Sequence, residues 1–230
     1  MKSQIVGTSM PALEIFLESG EGVIAVSGEL SWMTESIILS TVIQHGGGGL
    51  FGAIKRIAGG GSIFMTQYKA EGAQGMVAFA AKVPGHIIPV TVSATETYLV
   101  HRSGFLCGTP QIELTVGFQQ SLGAGIFGGD GFILQKLAGQ GEAWIEVGGE
   151  IVTYDLVPGQ TLRVHPGHVA MFQSSVGFKI VTIRGISNAL FGGDGLFFAS
   201  LTGPGRVWLQ TLTVPNLAHS IAPYLPREGR

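Results

Sequence analysis

The residues best placed to do chemistry are two histidines in the stretch His165-Pro166-Gly167-His168, the one close pair among six histidines. A tight turn between strands can bring two imidazoles to one side, and β-barrel metalloenzymes use histidine pairs in this way. A zinc, iron or manganese site needs at least a third ligand. The nearest upstream carboxylate, Asp155, is ten residues before His165, and no Glu follows at short range. The turn Pro166-Gly167 also has counterparts in Ser27-Gly28 and Ser103-Gly104, where no histidine pair stands. A turn explains all three places and a metal site only one. A β-barrel metalloenzyme using His165/His168 therefore stays an alternative, and no metal or cofactor is expected.

Two carboxylates, Asp130 and Asp194, sit in identical Phe-Gly-Gly-Asp-Gly loops and could be paired for acid-base work. The same pattern serves a turn in which Asp accepts from nearby backbone N–H groups while glycines take positive φ. The related stretch Phe51-Gly52-Ala53 has no Asp, so a threefold carboxylate set is not demanded. Gly46–Gly49 lacks the Gly-Lys-Ser/Thr ending of a phosphate-binding loop, and no helix-forming sequence follows Gly128-Gly129. Cys107, in Gly104-Phe105-Leu106-Cys107-Gly108, reads as a small buried hydrophobe rather than a nucleophile. A lone cysteine forms no internal disulfide and fits a reducing compartment. No catalytic residue is assigned, and the chain is read as not an enzyme.

What positions these residues is an internal repeat. Ile126-Phe127-Gly128-Gly129-Asp130-Gly131 returns 64 residues later as Leu190-Phe191-Gly192-Gly193-Asp194-Gly195, and Gly139, Gly141 and Trp144 return at the same offset as Gly203, Gly205 and Trp208. A third copy emerges from Gly28, Gly104 and Gly167, which precede Phe51, Phe127 and Phe191 by 23, 23 and 24 residues. The copies span approximately 4–92, 93–156 and 157–225 of a single all-β domain, 1–230, with Gly28, Gly104, Gly167, Asp130 and Asp194 as repeat turns. Period-two apolar patterning bounded by Gly and Pro predicts strands over 4–18, 23–26, 30–33, 36–44, 62–69, 76–82, 87–92, 97–102 and 112–118. It continues over 132–137, 143–147, 151–156, 161–165, 169–173, 178–184, 196–201 and 206–212. Short helices are expected near 50–58 and near 216–222, the latter capped by Asn216. Strands of this length and spacing indicate a sandwich or barrel.

Charged residues are 12%, about half the usual share, and mean hydropathy is +0.40. No stretch reaches the roughly 18 apolar residues of a membrane span, and the N-terminal stretch does not read as a signal peptide. Such a chain must cover apolar surface elsewhere, most simply against copies of itself, so a homo-oligomer is expected. With 13 Lys and Arg and a net charge of −2 there is no basic stripe, and nucleic acid is not an expected partner.

The chain as a whole resembles the altered-inheritance-of-mitochondria proteins of bacteria and mitochondria. The resemblance runs from about residue 3 to 225, through Met10-Pro11, Gly22–Gly28, Gly61–Phe64, Pro84–Pro89, Gly129–Gly131 and Gly203–Val207. It implies an all-β fold similar to TRAP, the tryptophan-RNA-binding attenuation protein, and for mitochondrial relatives a link to inner-membrane organisation. It implies no catalytic residues. The expectation is a cytoplasmic protein, peripheral to the inner membrane where it contacts one.

Three functions compete: a non-enzymatic, self-associating β-scaffold with a protein or membrane-surface partner; a TRAP-like RNA or small-ligand binding protein; and the metalloenzyme. The candidate contact element is the insertion 46–61, with Leu50, Phe51, Ile54 and Ile57 on one side of a short helix and Lys55 and Arg56 on the other. Nine residues do not hold a free helix, so it must pack on something. Deleting Leu50–Ala58 separates a plug from a contact device. A plug lost lowers the melting temperature, whereas a contact device lost leaves the fold intact and abolishes retention on vesicles in a flotation assay.

Overall fold

The computed structural model describes residues 1–43, 63–120, 131–183 and 196–225. The candidate contact residues Leu50, Phe51, Ile54, Lys55, Arg56 and Ile57, and the loop residues Asp130 and Asp194, lie outside them. The described residues form an all-β fold of antiparallel strands with one short α-helix. After β1 (Lys2–Val6) the strands fall into three sets of six. The first holds β2 (Ala12–Leu17), β3 (Gly22–Val26), β4 (Trp32–Met33), β5 (Ile37–Ile43), β6 (Phe64–Ala70) and β7 (Gly75–Ala80). The second holds β8 (Gly85–Val92), β9 (Tyr98–His101), β10 (Phe105–Gly108), β11 (Ile112–Gln120), β12 (Phe132–Gly139) and β13 (Gly141–Gly148). The third holds β14 (Ile151–Leu156), β15 (Thr161–Val164), β16 (Val169–Gln173), β17 (Gly177–Ile183), β18 (Leu196–Thr202) and β19 (Gly205–Gln210).

Four sheets result. Sheet A runs β1-β2-β7-β4, sheet B β5-β6-β3-β10-β13-β8, sheet C β11-β12-β9-β16-β19-β14, and sheet D β15-β18-β17. Sheets B and C have the same order, each strand moved on by six. Each joins three strands of one set to three of the next, through β3–β10 in sheet B and β9–β16 in sheet C. Among the described residues no sheet closes on itself. The barrel alternative is therefore replaced by packed sheets.

Each set encloses a core. Leu13, Ile15, Val77 and Phe79 of sheet A meet Val23, Ala25 and Tyr68 of sheet B. Ile145 and Val147 of sheet B meet Val100, Leu114 and Leu137 of sheet C. Phe172 and Val207 of sheet C meet Val164, Ala199 and Leu201 of sheet D. Sheets B and C are thus covered on both faces, and their strands lose the in/out alternation of a one-sided sheet. Val23, Ile24 and Ala25 are all buried, as are Phe105 to Gly108.

The stretch 4–18, read from sequence as one strand, is two. Gly7 takes φ +90 and the chain turns back, so that Val6 pairs with Ala12 and Ile5 with Leu13. A residue with a β-carbon resists that conformation, which is why the break falls at glycine. At the other end the helix α1 (Val214–Ile221) forms, but its N-cap is Thr213, whose hydroxyl accepts from the Asn216 amide, rather than Asn216 itself.

Burial ranks the side chains of β2 and β7. Phe79 is fully buried and meets Tyr68 edge-on at 5.6 Å, whereas Phe16 is exposed. Phe79→Ala is expected to lower unfolding stability by about 3–5 kcal/mol and Phe16→Ala by less than about 1 kcal/mol, read from urea denaturation midpoints.

Candidate functional site

The link between β7 and β8 passes close to the ends of β13 and β19. The Gly149 amide donates to Pro84 O at 2.7 Å, and the Leu212 amide to Gly148 O at 3.1 Å. Gly85 is required here, because a β-carbon would overlap the Val147 carbonyl. Beside this meeting point opens a groove of about 820 Å³. One wall is the turn after β9, with His101, Arg102, Ser103 and Gly104; another is Leu212 and Thr213 with α1, contributing Val214, Pro215, Ala218 and His219. Lys82, Glu146 and Gln210 complete the polar lining.

Glu146 is a buried carboxylate in the apolar run of β13. Its Oε1 accepts from the amides of Lys82 at 2.6 Å and Val83 at 3.2 Å, and its Oε2 lies 3.5 Å from Lys82 Nζ. Lys82 Nζ also donates to Glu29 at 2.9 Å. Gln210, 64 residues on, plays the corresponding part: its Oε1 accepts from the Gly148 amide at 3.1 Å and its Nε2 donates to Gly167 O at 2.7 Å. Both side chains therefore hold backbone; Glu146 does so through Oε1, while its buried Oε2 has no hydrogen-bond partner among the described residues. Sequence reasoning passed over Glu146 and Gln210. The available signal was a lone carboxylate inside Ala143-Trp144-Ile145-Glu146-Val147 and its amide counterpart one repeat later.

Gly28, Gly104 and Gly167 lie in the connections β3–β4, β9–β10 and β15–β16, and the last two line the groove. His165 and His168 come together, with ring centroids 6.0 Å apart. His168 Nδ1 lies 2.7 Å from Gln210 O, a backbone partner that occupies one of its nitrogens. The pKa of His165 is lowered, first by desolvation and then by His168. Asp155, the carboxylate nearest the pair in sequence, is bound instead by Arg206 through Nε at 2.6 Å and Nη2 at 2.9 Å, which holds its pKa below the usual carboxylate value. Among the described residues no three His, Cys, Asp or Glu side chains gather as a metal site requires. Cys107 is fully buried, and desolvation pushes its thiol pKa well up, so it packs rather than attacks. The two repeat tryptophans also pack: Trp144 is in the core between sheets A and B, and Trp208 lies against Tyr98 at 5.9 Å with Arg206 over its ring.

Fold and groove together define an all-β protein of fused antiparallel sandwiches whose groove residues Glu146 and Gln210 hold backbone. The chain matches the family described as mitochondrial biogenesis AIM24 over residues 3–212, and it belongs to that family. It is similar to an uncharacterized protein of Streptococcus pyogenes serotype M6, 28% identical over 225 residues, which are 94% of this chain and 87% of that protein. The X-ray crystal structure of a Streptococcus pyogenes protein aligns with a TM-score of 0.76 over 97% of this chain and 99% of that one; at 24% identity the likeness is one of fold.

His101, on the β9 side of the groove, is desolvated. Desolvation, and secondarily the Arg102 charge, lowers its pKa to about 4, and its ring lies 6.1 Å from that of Phe132. The unfolded chain then takes up a proton near pH 6.5 that the folded protein refuses until about pH 4. Stability is fully present above pH 6.5 and declines as pH falls through this window. Urea midpoints at pH 7.5 and 4.5 are expected to differ less in His101→Gln than in the wild type.

Proposed function

We propose that the protein is a non-enzymatic, self-associating β-scaffold that also contacts a protein or membrane surface from the cytoplasmic side. The observation that carries this reading is the placement of exposed large apolar side chains. Helix α1 buries none of its residues; Val214 and Ile221 on it, and Tyr224 and Leu225 just beyond, are exposed. Trp32 and Met33 stand exposed at an edge of sheet A. An amphipathic helix without a covered apolar face suits a groove or a lipid interface. No helix among the described residues is long and apolar enough to cross a membrane, so contact through helices would be peripheral.

A TRAP-like small-ligand protein is the second reading, favoured by the groove beside α1. Its apolar wall of Val83, Leu212 and Ala218 faces Lys82 and His219, which suits a small amphipathic molecule better than RNA. The metal reading at His165 and His168 predicts stoichiometric zinc, iron or manganese in protein purified without chelator.

Light scattering at micromolar concentration tests the scaffold. A multiple of 24.1 kDa is expected, with an interface on the order of 1,000 Å² or more, and a monomer mass throughout would overturn self-association. In vesicle flotation, Ile221→Glu is expected to weaken retention at least severalfold. Equal flotation of wild type and variant on both anionic and neutral lipid removes α1 as the contact.

A further inference from the structure

The joint that fuses one set of strands to the next occurs twice inside the chain. In sheet B, Ala25 and Ile24 of β3 pair with Cys107 and Gly108 of β10. In sheet C, Val100, Leu99 and Tyr98 of β9 pair with Met171, Phe172 and Gln173 of β16. The next strands in this series are β15, which would be the donor, and β4, which would be the acceptor. Both are sheet edges: β15 ends sheet D and β4 ends sheet A.

The acceptor positions can be matched through their common neighbour. Cys107 sits opposite Trp144, Met171 opposite Trp208, and Trp32 opposite Ala78, each three residues after the first glycine of β13, β19 and β7. Trp32 and Met33 therefore correspond to Cys107 and Gly108 and to Met171 and Phe172. Burial breaks the correspondence. Cys107 and Met171 are 0% exposed and Phe172 is 1%, while Trp32 is 44% and Met33 38% exposed. On the donor side Val164, the counterpart of Ala25 and Val100, is buried against sheet C, but Arg163, the counterpart of buried Ile24, is exposed, and Leu162, the counterpart of buried Val23 and Tyr98, is half-buried. The core of sheets A and B includes no residue of sheet D, and the core of sheets C and D none of sheet A. Among the described residues the two halves thus stand apart in one chain, each with an open edge that fits the other. Unpaired edge strands with apolar side chains are templates for pairing with another chain.

We propose that β15 of one copy of this chain pairs antiparallel with β4 of a second copy, fusing sheet D of the first to sheet A of the second into a sheet ordered like B and C. The register follows from the internal joints: Val164 opposite Trp32, Arg163 opposite Met33, and Leu162 opposite Thr34. Because the two surfaces differ, the contact is head-to-tail and grows into a ring or a filament rather than a closed twofold dimer. The inference rests on the self-association proposed above and assigns it a surface.

The experiment uses two single substitutions, Thr34→Cys and Leu162→Cys, in the full chain, where buried Cys107 stays unreactive. Neighbouring residues across an antiparallel pair lie within disulfide reach. Under mild oxidation the mixture of the two variants is expected to give a cross-linked dimer, each variant alone none, and the doubly substituted chain a ladder of multimers. Met33→Lys, which sets a second cation opposite Arg163, is expected to raise the concentration needed for assembly roughly tenfold or more. A monomer mass for the wild type overturns the self-association reading and this inference with it. A wild-type oligomer that gives no mixed cross-link, or links Thr34→Cys chains to each other, overturns this joint alone. A doubly substituted chain that closes on itself as a monomer also overturns it.

Discussion

The constraint on which the fold depends is that a strand of one set must complete the sheet of the next. Two short ladders do this, β3 with β10 and β9 with β16. Their strands lie between layers of side chains, so neither face reaches water. A charge placed there would be buried without a partner, at a cost of several kcal/mol. Ala25, Cys107, Val100 and Met171, small or flexible and apolar, meet that demand. A charged share of 12% is the result across the chain: with sheets B and C covered on both sides, fewer positions are left for charge.

The groove belongs to the same logic. It lies where successive connections crowd together, and crowding there is permitted by glycines at 85, 148 and 149, each of which would collide with neighbouring atoms if it carried a β-carbon. Close approach leaves backbone amides that need acceptors, and Glu146 and Gln210 supply them from adjacent strands. The first set has Ala80 before its link, and there the chain uses another device: the Ala80 amide donates to Ser31 Oγ at 2.8 Å. This backbone requirement accounts for Oε1 of the Glu146 carboxylate.

Most strands were legible because glycine and proline mark their ends and because one-sided strands alternate. β2 shows this well, with Leu13, Ile15 and Leu17 inward and Phe16 outward. Where alternation fails, the reading weakened. Phe105 to Gly108 is buried at every position, so nothing periodic separates β10 from a generic apolar run. The division of 4–18 was missed because the alternation of Leu13, Ile15 and Leu17 was carried back across Gly7-Thr8-Ser9, residues that favour a turn. Of the site, the turn glycines 104 and 167 were visible from the repeat. Lys82, Glu146, Gln210 and His219 were not, since they meet only when connections from different sets are brought side by side.

The stacking of the sheets also sets how the molecule comes apart. Among the described residues, the core of sheet A is shared with sheet B and that of sheet D with sheet C, so each core answers mainly to its neighbours, as in an array with nearest-neighbour coupling. Thermal opening then begins at the two ends and moves inward. Amides in β15, β17 and β18 exchange with solvent through a small local opening, while those of β3, β10, β9 and β16 wait for the whole array to unravel.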